Sequence, residues 1–264
     1  MPEITLYQVD AFTDRPFAGN PAAVCPLEAW LPDATLQAIA AENNLAETAF
    51  FVPEQDGYRL RWFTPAIEVP LCGHATLASA YVIARHLDPA MEKVVFHSKS
   101  GPLTVTRAGE VFTLDFPSDP PVPFEDGGAV ADALGVVPRE VLKPAKQGGK
   151  MLAVLASEAE VRGAEPDLAK VKALPSDGLI ITAPGDKVDF VSRCFAPHAG
   201  IPEDPVTGSA HVVLTPFWSA RLGRKTLTAR QISARGGDLT VEDRGARTLI
   251  SGTAAPYLEG RIRV

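Results

Sequence analysis

The 264-residue sequence predicts an α+β protein built from two similar halves, each of mostly antiparallel strands wrapped round one buried helix. Three observations predict it. The first is a repeat. Arg61-Trp62-Phe63-Thr64-Pro65, then Cys72-Gly73-His74-Ala75-Thr76, returns as Arg193-Cys194-Phe195-Ala196-Pro197, then Pro205-Val206-Thr207-Gly208-Ser209. Phe63 and Phe195 lie 132 residues apart; further on, Val105 and Val241 align at an offset of 136, a drift that loop insertions produce. The second is that each half holds one stretch, 75–86 and 209–222, apolar nearly all round a helix, which marks a buried one. The third is the absence of regular strand–helix alternation, which a doubly wound parallel sheet would show. The halves divide as residues 1–118 and 119–264, with the last strand a candidate to pack on the first domain.

The elements follow in order. Residues 4–12 alternate well enough for a strand. Phe17-Ala18-Gly19-Asn20-Pro21 reads as a turn, since Gly and Asn-Pro break regular structure. Residues 22–25 form a short apolar strand. Residues 32–43 read as a helix, with Asp33 in its first turn and Leu36, Ile39 and Ala40 on one face. Strands follow at 48–52 and 58–63, then the helix over 75–86, then strands at 93–97, 103–107 and 111–116. The proline-rich run 117–123 is the best linker candidate. In the second half, 129–134 and 167–173 look helical, while 151–155, 178–183 and 190–195 look like strands. Residues 209–222 form the buried helix, with Pro216 as a kink point, and the tail beyond 229 is strand-rich.

Composition bounds the function. A formal charge of −7 with no basic block disfavours nucleic acid and anionic membranes as partners. Three widely spaced cysteines give neither a disulfide framework nor a CxxC metal site. The start of the chain lacks a signal-peptide pattern, and no apolar run is long enough to span a bilayer. The expected location is the cytoplasm.

Two turn-to-helix junctions, Gly73-His74-Ala75-Thr76 and Thr207-Gly208-Ser209-Ala210, occupy equivalent places. Unpaired N–H groups at a helix start bind anions, and glycine allows close approach. The competing reading is ordinary capping by His74, Thr76, Thr207 or Ser209; two matched junctions favour an anion site. Glu47, flanked by Ala46, Ala49, Phe50 and Phe51, is either a surface loop residue or a carboxyl able to hold or take a proton in apolar surroundings. Asp204, in Glu203-Asp204-Pro205, is either a turn residue or an acid/base group beside the second junction. His74 is a cap or a proton carrier. His86, His97, His198 and His211 show no metal-site spacing. Cys72 invites a nucleophile reading, but in this pairing of the repeat it stands opposite Pro205, so a mechanism with two facing thiols is not available. No nucleotide or cofactor motif is present.

Four blocks together resemble the PhzF family of phenazine-biosynthesis-like proteins: Phe17-Ala18-Gly19-Asn20-Pro21-Ala22-Ala23-Val24, Asn44-Leu45-Ala46-Glu47-Thr48-Ala49-Phe50, Leu71-Cys72-Gly73-His74-Ala75-Thr76 and Glu203-Asp204-Pro205-Val206-Thr207-Gly208-Ser209-Ala210. The resemblance implies the diaminopimelate-epimerase-like fold: two pseudo-symmetric domains, each a curled, mostly antiparallel sheet around a central helix, with the active site between them. It also implies an isomerase without cofactor or metal, such as the one acting on trans-2,3-dihydro-3-hydroxyanthranilate, and a homodimer. Glu47, His74 and Asp204 match the family's catalytic residues, and Gly73, Gly208 and Ser209, with Asn20 of the first block, match its ligand-holding positions. Val206 replaces the usual alanine. Racemases of this fold use two cysteines; here only Cys72 stands at such a position. The expected function is proton transfer between carbons of a small carboxylic acid. A racemase or epimerase and a non-catalytic carboxylate-binding protein are the alternatives.

Overall fold

A computed structural model describes residues 3–54, 56–145 and 149–264. Two compact units divide the chain: Met1–Asp115 with Ser251–Val264, and Phe116–Ile250.

The first unit begins with β1 (Glu3–Ala11) and β2 (Asn20–Pro26), then α1 (Asp33–Asn43), β3 (Glu47–Glu54), β4 (Gly57–Phe63) and β5 (Glu68–Val69). The helix α2 (Gly73–Val82) runs on through one π-helical turn, Ile83–Leu87, and β6 (Lys93–Ser98), β7 (Gly101–Ala108) and β8 (Val111–Pro117) follow. Most ladders are antiparallel, but β2–β3 and β4–β6 are parallel, as crossovers through α1 and α2 require. Strands β2 and β3 are buried on both faces, so they read as apolar runs rather than alternation. One face packs Ala23, Cys25, Phe50 and Val52 against Leu36, Ile39 and Ala40 of α1. The helix α2, buried at every residue, packs on β1, β2 and β3; its small residues Ala75, Ala78, Ser79 and Ala80 permit that close seat.

The second unit contains β9 (Val122–Pro123), α3 (Gly128–Leu134), β10 (Glu140–Lys143), β11 (Lys150–Val154), α4 (Glu158–Gly163), α5 (Leu168–Ala173), β12 (Gly178–Pro184), β13 (Phe190–Ala196) and β14 (Ile201–Asp204). Then come α6 (Gly208–Leu222), β15 (Thr226–Gln231), β16 (Gly237–Asp243) and β17 (Arg247–Gly252). Its plan copies the first: β11–β12 and β13–β15 are the parallel pairs, β12–β13 and β15–β16 the antiparallel ones. Strand β18 (Ala254–Arg263) returns to unit 1, pairing along β1 from Glu3↔Arg263 to Ala11↔Ala254. Among the described residues no helix is long and apolar enough to cross a membrane.

The repeat is visible in side chains. Arg61 makes a two-pronged bond to Glu68, through Nε at 2.8 Å and Nη2 at 2.9 Å, and its guanidinium lies 5.0 Å from the Phe63 ring centre. Arg193 does the same with Glu203, at 2.7 and 2.9 Å, and with Phe195 at 5.0 Å.

Three sequence expectations are corrected. Asn20 and Pro21 belong to β2 rather than to the preceding turn, because Gly19, in the left-handed region at φ +64°, completes the reversal one residue earlier. The proline-rich run is not a free linker: Val122 and Pro123 pair with Lys143 and Leu142, and the Ser118 N–H donates to the Ala246 carbonyl. A helix the periodicity passes over, α4, starts at Ser157, whose hydroxyl accepts from the Glu160 N–H at 3.2 Å while Glu160 reaches back to the Ala156 N–H at 2.9 Å. That reciprocal cap was present in the sequence as Ser157-Glu158-Ala159-Glu160.

Candidate active site

In unit 1, parallel pairing brings the starts of β2 and β3 to one edge, with Ala22 opposite Glu47. Helix α1 ends with Asn44 in the left-handed conformation (φ 48°), its N–H bonded to the Ala40 carbonyl, and the chain turns directly into Glu47. The start of α2 meets this edge. His74, its second residue, is buried, with Nε2 3.1 Å from Glu47 Oε2 and Nδ1 3.0 Å from Asn20 Nδ2. Glu47 is itself buried, not a surface loop residue. The contact is at ion-pair distance, and Oε2 has no assigned hydrogen-bond donor among the described residues. With the Asn20 N–H directed at Nδ1, the proton of a neutral His74 ring sits on Nε2, facing Glu47.

Burial disfavours a charged His74, but the neighbouring Glu47 carboxylate and the side-chain hydrogen bond to Cys72 oppose it, and the His74 pKa lies above the ordinary histidine value. Burial first, and Glu47 second, push the Cys72 thiol up to about 11. It is therefore a protonated thiol near neutral pH, which argues against the nucleophile reading. Its Sγ lies 3.5 Å from His74 Nδ1. Glu47, Cys72 and His74 also place three potential metal-ligating atoms within 4.8 Å of one another. This is one donor fewer than a closed zinc site takes.

In unit 2, Asp204 is the last residue of β14 and is buried. Its Oδ2 accepts from the Thr207 hydroxyl at 2.5 Å. Buried Gln231, on β15, ties the corner together: Oε1 accepts from the Thr207 N–H at 2.9 Å, and Nε2 donates to the Asp204 carbonyl at 2.6 Å and to Thr207 Oγ1 at 3.1 Å. Gly208 opens α6, and Ser209 Oγ accepts from Lys150 Nζ at 3.1 Å.

The two helices start after Cys72 and Thr207, and neither side chain makes a capping bond. The ordinary-capping reading therefore fails at both junctions, leaving the first N–H groups without intrahelical partners. The alignment of Cys72 with Pro205 is also corrected. Counting from the helix starts, Cys72 corresponds to Thr207, at an offset of 135 that lies between those of the flanking segments. The second position still supplies no thiol. Fourth in each helix, Thr76 and His211 play one part: Thr76 Oγ1 donates to the Cys72 carbonyl at 2.5 Å, and His211 Nδ1 to the Thr207 carbonyl at 2.8 Å.

Of the residues expected from the sequence, Glu47, His74, Asn20 and Gly73 come together in unit 1, and Asp204, Gly208 and Ser209 in unit 2. Sequence reasoning missed Thr207, Gln231 and Lys150. Thr207 was visible only as a cap. Gln231 carries no local signal, since a buried glutamine in a strand is recognised only by the backbone groups it meets.

A model of the phenazine biosynthesis-like protein family matches residues 9–260. An isomerase of Pseudomonas aeruginosa, described as uncharacterized, is 50% identical over 262 residues, covering 99% of this chain and 100% of the relative. The crystal structure of a PhzF-family phenazine biosynthesis protein from Enterococcus faecalis matches with a TM-score of 0.95 at 47% identity, over 100% of both chains. A hydroxyproline epimerase from Agrobacterium vitis, at 12% identity, shares the fold alone, with a TM-score of 0.61 over 98% of this chain and 92% of that one. The α+β, epimerase-like architecture expected from the sequence is the one found. By family model, overall identity and structure alike, the chain belongs to the phenazine biosynthesis-like PhzF family.

Proposed function

We propose that this protein is an isomerase that moves a proton between carbons of a small carboxylic acid. The observation that carries the reading is Glu47: a buried carboxylate with one oxygen free of hydrogen-bond donors among the described residues, set beside a histidine that favours protonation. Glu47 takes a proton from a carbon made acidic by an adjacent π-system and returns it to another carbon of the same molecule. One proton is taken and one is delivered, so the step is redox-neutral, and the Glu47 carboxyl exchanges its proton with solvent between the two transfers. His74 supports the carboxylate through Nε2. Gly73, beside His74 at the start of α2, offers main-chain N–H groups to the ligand's carboxylate, and Asp204, Gly208 and Ser209 form the equivalent corner of unit 2.

Screening small amino and hydroxy acids in deuterium oxide by NMR tests this, because the reaction puts deuterium on a ligand carbon. Glu47→Gln keeps the shape and removes the base, so exchange should fall about 10²–10⁴-fold while binding persists. Undiminished exchange in that variant would remove Glu47 from the mechanism. A racemase is the second reading; it is disfavoured because Thr207 stands where a second thiol would be needed. A carboxylate-binding protein without catalysis would bind ligands in the same screen and exchange none of them.

A further inference from the structure

Cys72 has no part in the proton transfer, yet it is a buried thiol set against the imidazole of His74. With Glu47 the two residues bring together a sulfur, a nitrogen and an oxygen, all within 4.8 Å of one another. No other such group of three gathers among the described residues. His74 Nε2 lies 3.1 Å from Glu47 Oε2 and 4.0 Å from Cys72 Sγ. With bond lengths of about 2.0–2.3 Å, a tetrahedral zinc ion holds nitrogen and oxygen about 3.4 Å apart, and nitrogen and sulfur about 3.6 Å apart. Both pairs come within about 0.4 Å of that spacing. Glu47 Oε2 is buried and has no assigned hydrogen-bond donor among the described residues. Behind the ring, the Asn20 amide lies 3.0 Å from Nδ1, where a metal-bound histidine takes its outer partner.

We propose that Glu47, Cys72 and His74 form a site for a divalent cation of the zinc class, and that an ion held there takes Glu47 out of proton transfer. The binding needs no assumption about the reaction; the loss of proton transfer rests on the reading given above. Thiolate and imidazole donors select zinc-class ions over magnesium and calcium, which take oxygen. The charges also balance. One thiolate and one carboxylate neutralise a doubly charged ion, so the bound set is neutral, as burial favours. In the bound form His74 is a neutral ring ligating through Nε2, with its proton on Nδ1. The Asn20 amide, turned end for end, accepts that proton through Oδ1. Each ion taken up releases the Cys72 thiol proton to solvent and, from a charged ring, a second one; no electrons move. Three protein donors leave the fourth position open, and water completes it. The Oε2 lone pair that ligates the ion is then closed to a carbon's proton.

Cobalt(II), added alone to the full chain after metal removal, tests the site by absorbance. A single equivalent should give a near-ultraviolet thiolate-to-cobalt band and the visible bands of a four-coordinate ion, and zinc should displace both. Cys72→Ser should lose the near-ultraviolet band, whereas Cys25→Ser and Cys194→Ser should keep it. Cys72→Ser and His74→Gln should each weaken zinc binding in calorimetry by more than the loss of about 10–100-fold expected of Asn20→Ala. Circular dichroism melts identify the folded variants, and zinc should raise the Tm of the wild type but not of Cys72→Ser. In the deuterium screen, zinc should abolish exchange by the wild type and a chelator restore it, while exchange by Cys72→Ser should not respond to zinc. Absence of cobalt binding by the wild type, or a thiolate band that survives Cys72→Ser, overturns the site. Undiminished exchange at saturating zinc overturns the link between the ion and proton transfer. A wild type that binds cobalt through Cys72 but exchanges no ligand hydrogen overturns the proton-transfer reading and leaves the metal site standing.

Discussion

Glu47 and His74 owe their pairing to residues that do no chemistry. A Cβ on Gly19 would lie 2.2 Å from the Ala11 carbonyl oxygen, so only glycine turns the chain tightly enough to start β2 at Asn20. Asn20 in turn holds the imidazole. Asn20→Ala should lower exchange and alter its pH dependence without loss of ligand binding, a combination that steady-state kinetics across pH separates from simple misfolding. Gln231 is a second such residue. Removing its side chain leaves the buried Thr207 N–H without its acceptor, at about 1–3 kcal/mol, and takes a donor from the Asp204 carbonyl. Gln231→Ala should therefore lower stability by about 2–4 kcal/mol in urea unfolding. His211 predicts a pH effect. Burial pushes it down to about 4, below its unfolded value near 6.5. The unfolded chain thus binds the extra proton between those values, and stability is full above about pH 6.5 and falls as pH drops toward 4. The loss should be about 2 kcal/mol between pH 7 and pH 5. His211→Asn, which retains a donor for the Thr207 carbonyl, should flatten that slope.

At the scale of elements, the paired arginines bind the outer helices to their sheets. Arg61 Nη1 donates to Asp33 in the first turn of α1 at 2.9 Å. Arg193 Nη1 donates to the carbonyls of Ala164 at 2.6 Å and Val161 at 3.2 Å, at the C-terminal end of α4. A lysine reproduces the charge but not the fork. Arg193→Lys should cost about 1–3 kcal/mol, read as a lower urea midpoint with an unchanged slope. These arginines also show what the sequence made legible. The repeat flagged both, and strong apolar runs such as 48–52 and 178–183 gave the central strands, because burial on two faces leaves an unbroken pattern. The short pieces stayed hidden. Strands β5, β9, β10 and β14 span two to four residues and are set by their partners rather than by their own pattern. The site divides in the same way. Glu47, His74 and Asp204 stood in recognisable blocks, whereas Lys150 and Gln231 gain meaning only from the register that delivers them.

For the whole molecule, chain order and spatial order disagree. Unit 2 is inserted between β8 and β18 of unit 1, and β18 supplies β1 with nine paired positions. A fragment of residues 1–118 should therefore be insoluble or largely unfolded, while residues 116–250 should fold with a cooperative melting transition; circular dichroism of the two fragments checks both. The same arrangement has a consequence during synthesis. A ribosome moving along this message releases β1 early, then makes the entire inserted unit before β18 emerges. The later-made body is thus the first to be finished, and the earlier one waits with a strand edge bare, which is the interval in which a nascent chain of this kind is most open to chaperones and to wrong partners.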